Sequence, residues 1–164
     1  MSIARYFPPI WRYAVRRHFS ARVLEAIRTA IAVGEQRHQG QVCFAIEGAL
    51  PLHDLARGLS VRARAHEAFT QLRVWDTEHN CGVLIYVLLA DHAIEIVADR
   101  GIAARVPQSE WQAVCDRMRD RFAGGEYERG AIEGVTAVSE ILARHFPADG
   151  SGKRNELPDR PVLL

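Results

Sequence analysis

Three acidic residues and one amide flank the most apolar stretch of the chain, residues 83–90. They are Asp76, Glu78, Asn80 and Asp99. Hard cations such as calcium take several oxygen ligands from carboxylates, amides and loop carbonyls. The four residues therefore predict a site for calcium or another divalent cation, provided that the fold brings both flanks together. The alternative is a solvated loop, in which Asp76 caps a turn and Asp99 pairs with Arg100.

Two arginines are candidates for holding a phosphate group. The chain has neither a G-x-S-x-G motif nor a glycine loop that cradles phosphate, so a covalent mechanism has little support. Cleavage of a phosphate ester would instead need a metal-activated water. In that alternative, Arg100 or Arg121 would bind the phosphate through charge-assisted hydrogen bonds.

Other reactive side chains have weaker signals. His79 lies among the acids and could bind a transition metal or act as an acid–base group, the alternative being a surface histidine. Trp75 is interpreted as a packing residue, with a ligand-lining role as the alternative. The three cysteines form no C-x-x-C pair, and Cys43 and Cys115 are interpreted as buried apolar filler. Cys81, beside a glycine, is the thiol to test for reactivity.

A hairpin would position the four candidate ligands. Asp91 and His92 separate the apolar run 83–90 from a second run, residues 93–98, and this pattern predicts two antiparallel strands. The first run has no polar alternation, so we expect helices on both of its faces. Antiparallel pairing brings the outer ends of the two runs together, which would assemble the ion site.

Periodicity predicts the remaining elements. Helices are expected over residues 10–18, 21–38, 61–73, 109–122 and 127–145, and a strand over residues 41–47. Residues 48–58 are predicted to be a loop. Ser109 and Gln112 are interpreted as a capping box. Gly130 and Gly134, four residues apart on the last helix, would let a neighbouring helix approach closely.

This order of elements predicts an α/β class protein. A parallel crossover followed by an antiparallel hairpin gives a small mixed sheet with helices on both faces, a three-layer α/β/α sandwich. We assign this domain to residues 20–146. A basic amphipathic arm, residues 1–19, precedes it. The tail, residues 147–164, is rich in proline, glycine and charge and is predicted to be flexible and mostly unordered.

The N-terminal arm combines an apolar stripe with basic residues. Phe7, Trp11 and Val15 fall four residues apart. The basic residues are Arg5, Arg12, Arg16 and Arg17. We interpret residues 10–18 as a short helix that packs on the domain or on a partner. The alternative is weak contact with an anionic membrane surface.

Composition excludes several classes of protein. The chain has 164 residues, 48% hydrophobic and 25% charged, as in ordinary globular proteins. A net charge of +1 argues against a nucleic-acid binder that depends on a strong positive field. No apolar stretch reaches the length of about 20 residues that a membrane-spanning helix needs. The first residues lack an apolar signal core, so we expect a cytoplasmic location.

Several motifs carry a resemblance to a known family. They are Asn80-Cys81-Gly82 before the apolar strand, Gly101-Ile102 after the hairpin, and the run Arg121-Phe122-(x)2-Gly125-(x)-Tyr127-(x)2-Gly130-(x)3-Gly134. Over residues 20–145 the chain resembles the TPM domain family of thylakoid-lumen and photosystem-repair proteins, which includes phosphatase-like members. The segment 155–159 is similar to that of a bacterial cytoplasmic branch. The resemblance implies an α/β/α sandwich, in agreement with the pattern of elements.

The resemblance also implies a range of functions. Some members of the family bind calcium, a plant member is described as an acid phosphatase, and others serve in membrane-protein repair or receptor assembly. Most members have a glutamate and an aspartate where this chain has Ala103 and Gln108. We therefore predict a module that binds or assembles with a protein partner and carries a divalent-ion site. The alternative is a metal-dependent acid phosphatase.

Overall fold

A computed structural model describes residues 8–150 and 154–164, with side chains from residue 10 onward. The helices are α1 Pro8–His18, α2 Ala21–Glu35, α3 Leu52–Ala56, α4 Val61–Gln71, α5 Arg100–Ala103, α6 Gln108–Ala123 and α7 Tyr127–His145. The strands are β1 Gln41–Glu47, β2 Gly82–Leu88, β3 Ala93–Ala98 and β4 Val162–Leu163. None of the described helices is long and apolar enough to cross a membrane.

The four strands form one mixed sheet in the order β3-β2-β1-β4. β1 is parallel to β2, with α4 in the crossover between them, and β2 is antiparallel to β3. A 3₁₀ turn, Leu89–Asp91, joins the hairpin, and His92 follows it in the left-handed conformation. The predicted hairpin is therefore confirmed. The strands β1 and β2 are buried over their whole length because helices cover both faces of the sheet.

Each face of the sheet has its own core. On one face, alternate strand residues such as Phe44 and Ile85 pack with α2, α6 and α7. On the other face, Ala45 and Tyr86 pack with α4 and with Leu157 of the C-terminal segment. This arrangement confirms the predicted three-layer α/β/α sandwich.

Of three helix starts that the sequence predicted, two are confirmed and one is wrong. The side chains of Ser20 and Ser60 cap α2 and α4 by accepting hydrogen bonds from backbone N–H groups. The proposed capping box of Ser109 and Gln112 is wrong. Helix α6 begins earlier, after Pro107, and the amide of Gln112 donates to the carboxylate of Asp116.

Two segments are more ordered than the sequence suggested. The predicted loop over residues 48–58 contains the short helix α3. The tail, expected to be mostly unordered, contributes β4, which pairs with β1 through Ala45 and Ile46. Leu157 of the same tail is buried. Burial of Leu157 and the β4 hydrogen bonds provide contacts that a polar composition does not reveal.

The two glycines on α7 mark a close helix contact. A Cβ atom at Gly134 would lie 2.3 Å from the sulfur of Met118 on α6. One at Gly130 would lie 2.7 Å from the Cβ of Arg121. A larger side chain at Gly130 would press on α6, and one at Gly134 would displace the side chain of Met118. The close approach agrees with the predicted role of the spacing.

The stripe on α1 faces the domain. Val15 is buried in the larger core, and Trp11 packs against that core. The third residue of the predicted stripe, Phe7, lies outside the described residues. The positions of Trp11 and Val15 therefore support helix packing on the domain.

Candidate functional site

The outer ends of the hairpin strands lie together, as predicted. Val83 pairs with Ala98, and the N–H of Asp99 donates to the carbonyl of Gly82 at 2.9 Å. The backbone of Gly101 approaches the preceding loop so closely that a Cβ there would lie 2.6 Å from the carbonyl oxygen of Asn80. The loop before β2 and the turn after β3 therefore form one local structure.

Asp99 is the best placed of the four predicted ion ligands. Its Oδ1 accepts a hydrogen bond of 2.7 Å from the N–H of Arg100 and caps α5. Its Oδ2 is buried and has no hydrogen-bond partner among the described residues. The residue is only 9% exposed. A buried carboxylate oxygen without a donor is the one feature here that favours a bound cation.

Two of the other predicted ligands, Asp76 and Asn80, have partners for their side chains. Asp76 accepts a hydrogen bond of 2.7 Å from Arg73. The Oδ1 of Asn80 accepts from Arg100 at 3.0 Å. Glu78 is exposed, and its backbone N–H donates to the carboxylate of Glu156.

These contacts do not amount to a ready-made ion site. In the described part of the chain, no three His, Cys, Asp or Glu side chains are grouped so that they could hold a metal ion. Calcium needs six to eight oxygen ligands, and the guanidinium of Arg73 already neutralises Asp76. Asp99 and Asn80 lie at the same edge of the sheet, and a cation there would need further oxygen ligands besides these two side chains.

The two candidate phosphate ligands are far apart. Arg100 contacts Asn80, which precedes β2. Arg121 ends α6, whose last residues line a cavity with Leu88 at the opposite end of β2. The guanidinium of Arg121 also bonds to two carboxylates, those of Glu126 and Glu133. One phosphate group cannot contact both arginines across the length of β2.

Burial makes two of the thiols poor nucleophiles. It raises the pKa of Cys43 to about 12 and is the main cause of a rise to about 11 for Cys115. Cys81 is also buried, and its thiol lies 3.4 Å from the carbonyl oxygen of Gln39.

Trp75 is exposed rather than packed. His79 is exposed and borders a groove that periodicity did not predict.

This groove lies at the amino-terminal ends of β1 and β2 and has a volume of about 680 Å³. The end of α2, the loop before β2 and the C-terminal segment enclose it. Its lining includes one arginine, Arg154, and five carboxylates: Glu35, Glu78, Asp149, Glu156 and Asp159. We call it the amino-edge groove. Its described lining is polar, with an excess of negative charge.

A buried glutamine holds one wall of the amino-edge groove in place. The Oε1 of Gln41 accepts hydrogen bonds from the backbone N–H groups of Glu156 and Leu157. Its Nε2 donates to the carbonyl of Arg154. The first residue of β1 thereby positions the C-terminal segment. The signal for this role was a polar residue at the start of an otherwise apolar strand.

A second buried polar cluster lies at the other end of β1. Arg64 donates to both carboxylate oxygens of Glu47, at 2.9 and 3.0 Å, and the hydroxyl of Tyr86 donates to the same carboxylate at 2.5 Å. Burial, and then the bond to Glu47, raises the pKa of Tyr86 well above its usual value. Glu47 was visible in the sequence as a charge ending an apolar strand, but its partners were not.

Fold and groove together define the class of this protein: an α/β/α sandwich with a mixed sheet and an acidic groove at one edge. Comparison with known proteins then gives the family. The chain belongs to the TPM domain family, whose profile matches residues 16–141. No curated protein matches the chain.

Two solved structures have the same fold. The NMR structure of the BA42 protein from the psychrophilic bacterium Bizionia argentinensis is 26% identical, with a TM-score of 0.75. The similarity covers 88% of this chain and 94% of that one. The N-terminal domain of a P. gingivalis protein is 18% identical, with a TM-score of 0.60 over 77% of this chain and 78% of that domain. At that identity the second similarity concerns the fold alone.

Proposed function

We propose that this TPM-domain protein is a binding or assembly module, and that the amino-edge groove receives a positively charged segment of a partner protein. The observation that carries the proposal is the groove itself. It combines a large volume with five carboxylates and a single arginine among the described residues that line it. Complementary charge favours encounter with a cationic segment and fixes its orientation.

The wall of the groove supports this role. The C-terminal segment is tied to the sheet by Gln41, by the buried Leu157 and by β4. A groove whose walls are held by such contacts loses little conformational entropy when it binds a ligand. We expect affinity to fall as salt concentration rises, because exposed charges are screened.

Charge reversal in the groove tests the proposal. The exposed residues Glu78 and Gln36 both line it, and replacing both with lysine changes the charge by three. A matched control replaces Glu140 and Gln112, exposed residues on α7 and α6, with lysine. We expect wild type and the control to capture the same partner from a lysate of the source cells. The groove variant should lose that partner.

The captured partner must then bind as a pure protein. In titration calorimetry, the groove variant should bind at least about tenfold more weakly than the control, the effect of losing roughly 1.4 kcal/mol of attraction. Equal binding by both variants would contradict the proposal. So would robust hydrolysis of phosphate esters by the pure protein. A metal-dependent acid phosphatase would lose that activity with a chelator and in Asp76→Ala or Asp99→Ala.

We keep a divalent-ion site as a second proposal, on the single observation of the unpartnered Oδ2 of Asp99. Calcium bound to the folded state alone should stabilise it by linkage. For a dissociation constant of about 1 mM, about 10 mM calcium would contribute roughly 1.4 kcal/mol. We then expect the melting temperature to rise by roughly 3–6 °C.

The control for this measurement is an acid at the other end of the hairpin. Asp99→Asn should lose the calcium-dependent rise in melting temperature, and Asp91→Asn should keep it. Absence of any rise in wild type, or an equal rise in Asp99→Asn, would exclude calcium from this loop.

A further inference from the structure

Exposed apolar side chains in the described residues are concentrated on three segments that meet at one groove: α1, the start of α3 and the end of the C-terminal segment. Of the seven large apolar side chains that are exposed in the described residues, five belong to these segments: Ile10, Tyr13, Leu52, Leu163 and Leu164. The first two project from α1, the third opens α3, and the last two end the C-terminal segment. Scattered single residues need no explanation, but a cluster marks an interaction surface.

A groove connects most of these segments. It has a volume of about 590 Å³ and is lined by Leu52, Leu163 and Leu164 together with Arg12 and Arg16 of α1. It lies beyond the carboxyl end of β1, since Glu47 and the residues after it also line it. We call the five apolar residues, with the arginines of α1, the α1 corner.

The α1 corner carries positive charge that no carboxylate of the described residues neutralises. Helix α1 contains Arg12, Arg16 and Arg17 and no acidic residue. All three arginines are exposed, and none pairs with a carboxylate in the described residues. The carboxylate of Glu47, at the edge of the groove, is already neutralised by Arg64.

We propose that the α1 corner docks the folded domain on the surface of an anionic membrane. Arginines bind lipid phosphate and carboxylate groups, while tyrosine and leucine side chains enter the interfacial region. An acidic protein would also attract the arginines. Leu52, Leu163 and Leu164 line the open groove, and Ile10 and Tyr13 project from α1, which forms one of its walls. Exposed apolar side chains on three separate segments fit the continuous lipid surface better.

This surface differs from the stripe that the sequence suggested. The buried side of α1, with Trp11 and Val15, holds the helix on the domain. The opposite side, with Tyr13 and the arginines, is the one that faces outward. Deleting residues 1–19 would remove Val15 and Phe19 from the core, so substitutions are the appropriate test.

Sedimentation with vesicles tests the α1 corner in the full chain. The probes are phosphatidylcholine vesicles alone and vesicles containing roughly one third phosphatidylserine. Each arginine near an anionic surface contributes about 1 kcal/mol. Changing Arg12, Arg16 and Arg17 to glutamine should therefore weaken binding to the anionic vesicles about hundredfold. A control with Arg37, Arg105 and Arg117 changed to glutamine should bind like wild type.

A second variant tests the apolar part of the surface. Tyr13→Ser/Leu163→Ser should weaken binding to anionic vesicles several-fold while keeping its salt dependence. Both residues are exposed, so we expect unchanged melting temperatures. The proposal is overturned if wild type binds neither kind of vesicle, binds both equally, or loses as much affinity in the control variant as in the α1 variant. The vesicle test is independent of the proposed function, because the amino-edge groove variant keeps every residue of the α1 corner.

Discussion

Replacing Arg64 with methionine is expected to destabilise the folded protein by about 3–5 kcal/mol. The side chains of Arg64 and Glu47 are only 10% and 6% exposed, and methionine would leave the glutamate buried without its cation. The hydroxyl of Tyr86 would remain as a hydrogen-bond donor, but it carries no charge to compensate the carboxylate. Urea unfolding followed by tryptophan fluorescence measures the loss.

Two further variants separate the buried charge from general effects of the substitution. Arg73→Met removes an exposed ion pair with Asp76 and should shift the urea midpoint far less. Arg64→Met/Glu47→Gln removes both charges and should recover part of the stability, because no uncompensated ion remains. If Arg64→Met had the same urea midpoint as wild type, the buried cluster would contribute nothing to stability.

Changing Gly82 to alanine is expected to cost about 3 kcal/mol or to prevent folding. A Cβ at this position would lie 2.0 Å from the carbonyl oxygen of Val74, a backbone atom that cannot turn away. Both chains are held there, since Val74 bonds to Phe69 and the carbonyl of Gly82 accepts from Asp99. The variant could relieve the contact only by moving the loop before β2 away from the hairpin.

Gly124→Ala is the matched control for this change. Its Cβ would meet no atom closer than 3.4 Å, and the residue is exposed at the end of α6 with an ordinary φ of −79°. We expect its stability to remain within about 1 kcal/mol of wild type, by urea unfolding of both variants. A Gly82→Ala protein as stable as the Gly124→Ala protein would contradict the close approach. The glycine in the family motif Asn80-Cys81-Gly82 has, on this account, a steric cause.

Much of the fold could be predicted from local patterns. The apolar runs around Asp91 and His92 predicted the hairpin, and their lack of alternation predicted helices on both faces of the sheet. Spacings of three and four residues predicted the long helices, and the glycines of α7 predicted its close contact. These features depend on backbone geometry within one element or between chain neighbours, so composition and spacing determine them.

The candidate site was predictable only in part. Hairpin pairing placed the loop before β2 beside Asp99, as expected from the sequence. The pairing of the strands did not determine which side chains form hydrogen bonds with the acidic residues. Arg73 lies three residues before Asp76, but its left-handed conformation, φ 55°, belongs to a turn that periodicity did not reveal.

Contacts between distant segments were decided by the tertiary structure alone. Arg64 lies 17 residues from Glu47 in the chain, and Gln41 lies more than a hundred residues before the segment that it holds. The sequence shows that these side chains are polar, but not which surface each one faces after the helices pack on the sheet. That packing determines whether a charged side chain meets a group of opposite charge or remains exposed, as on α1. The amino-edge groove and the α1 corner both arise in this way.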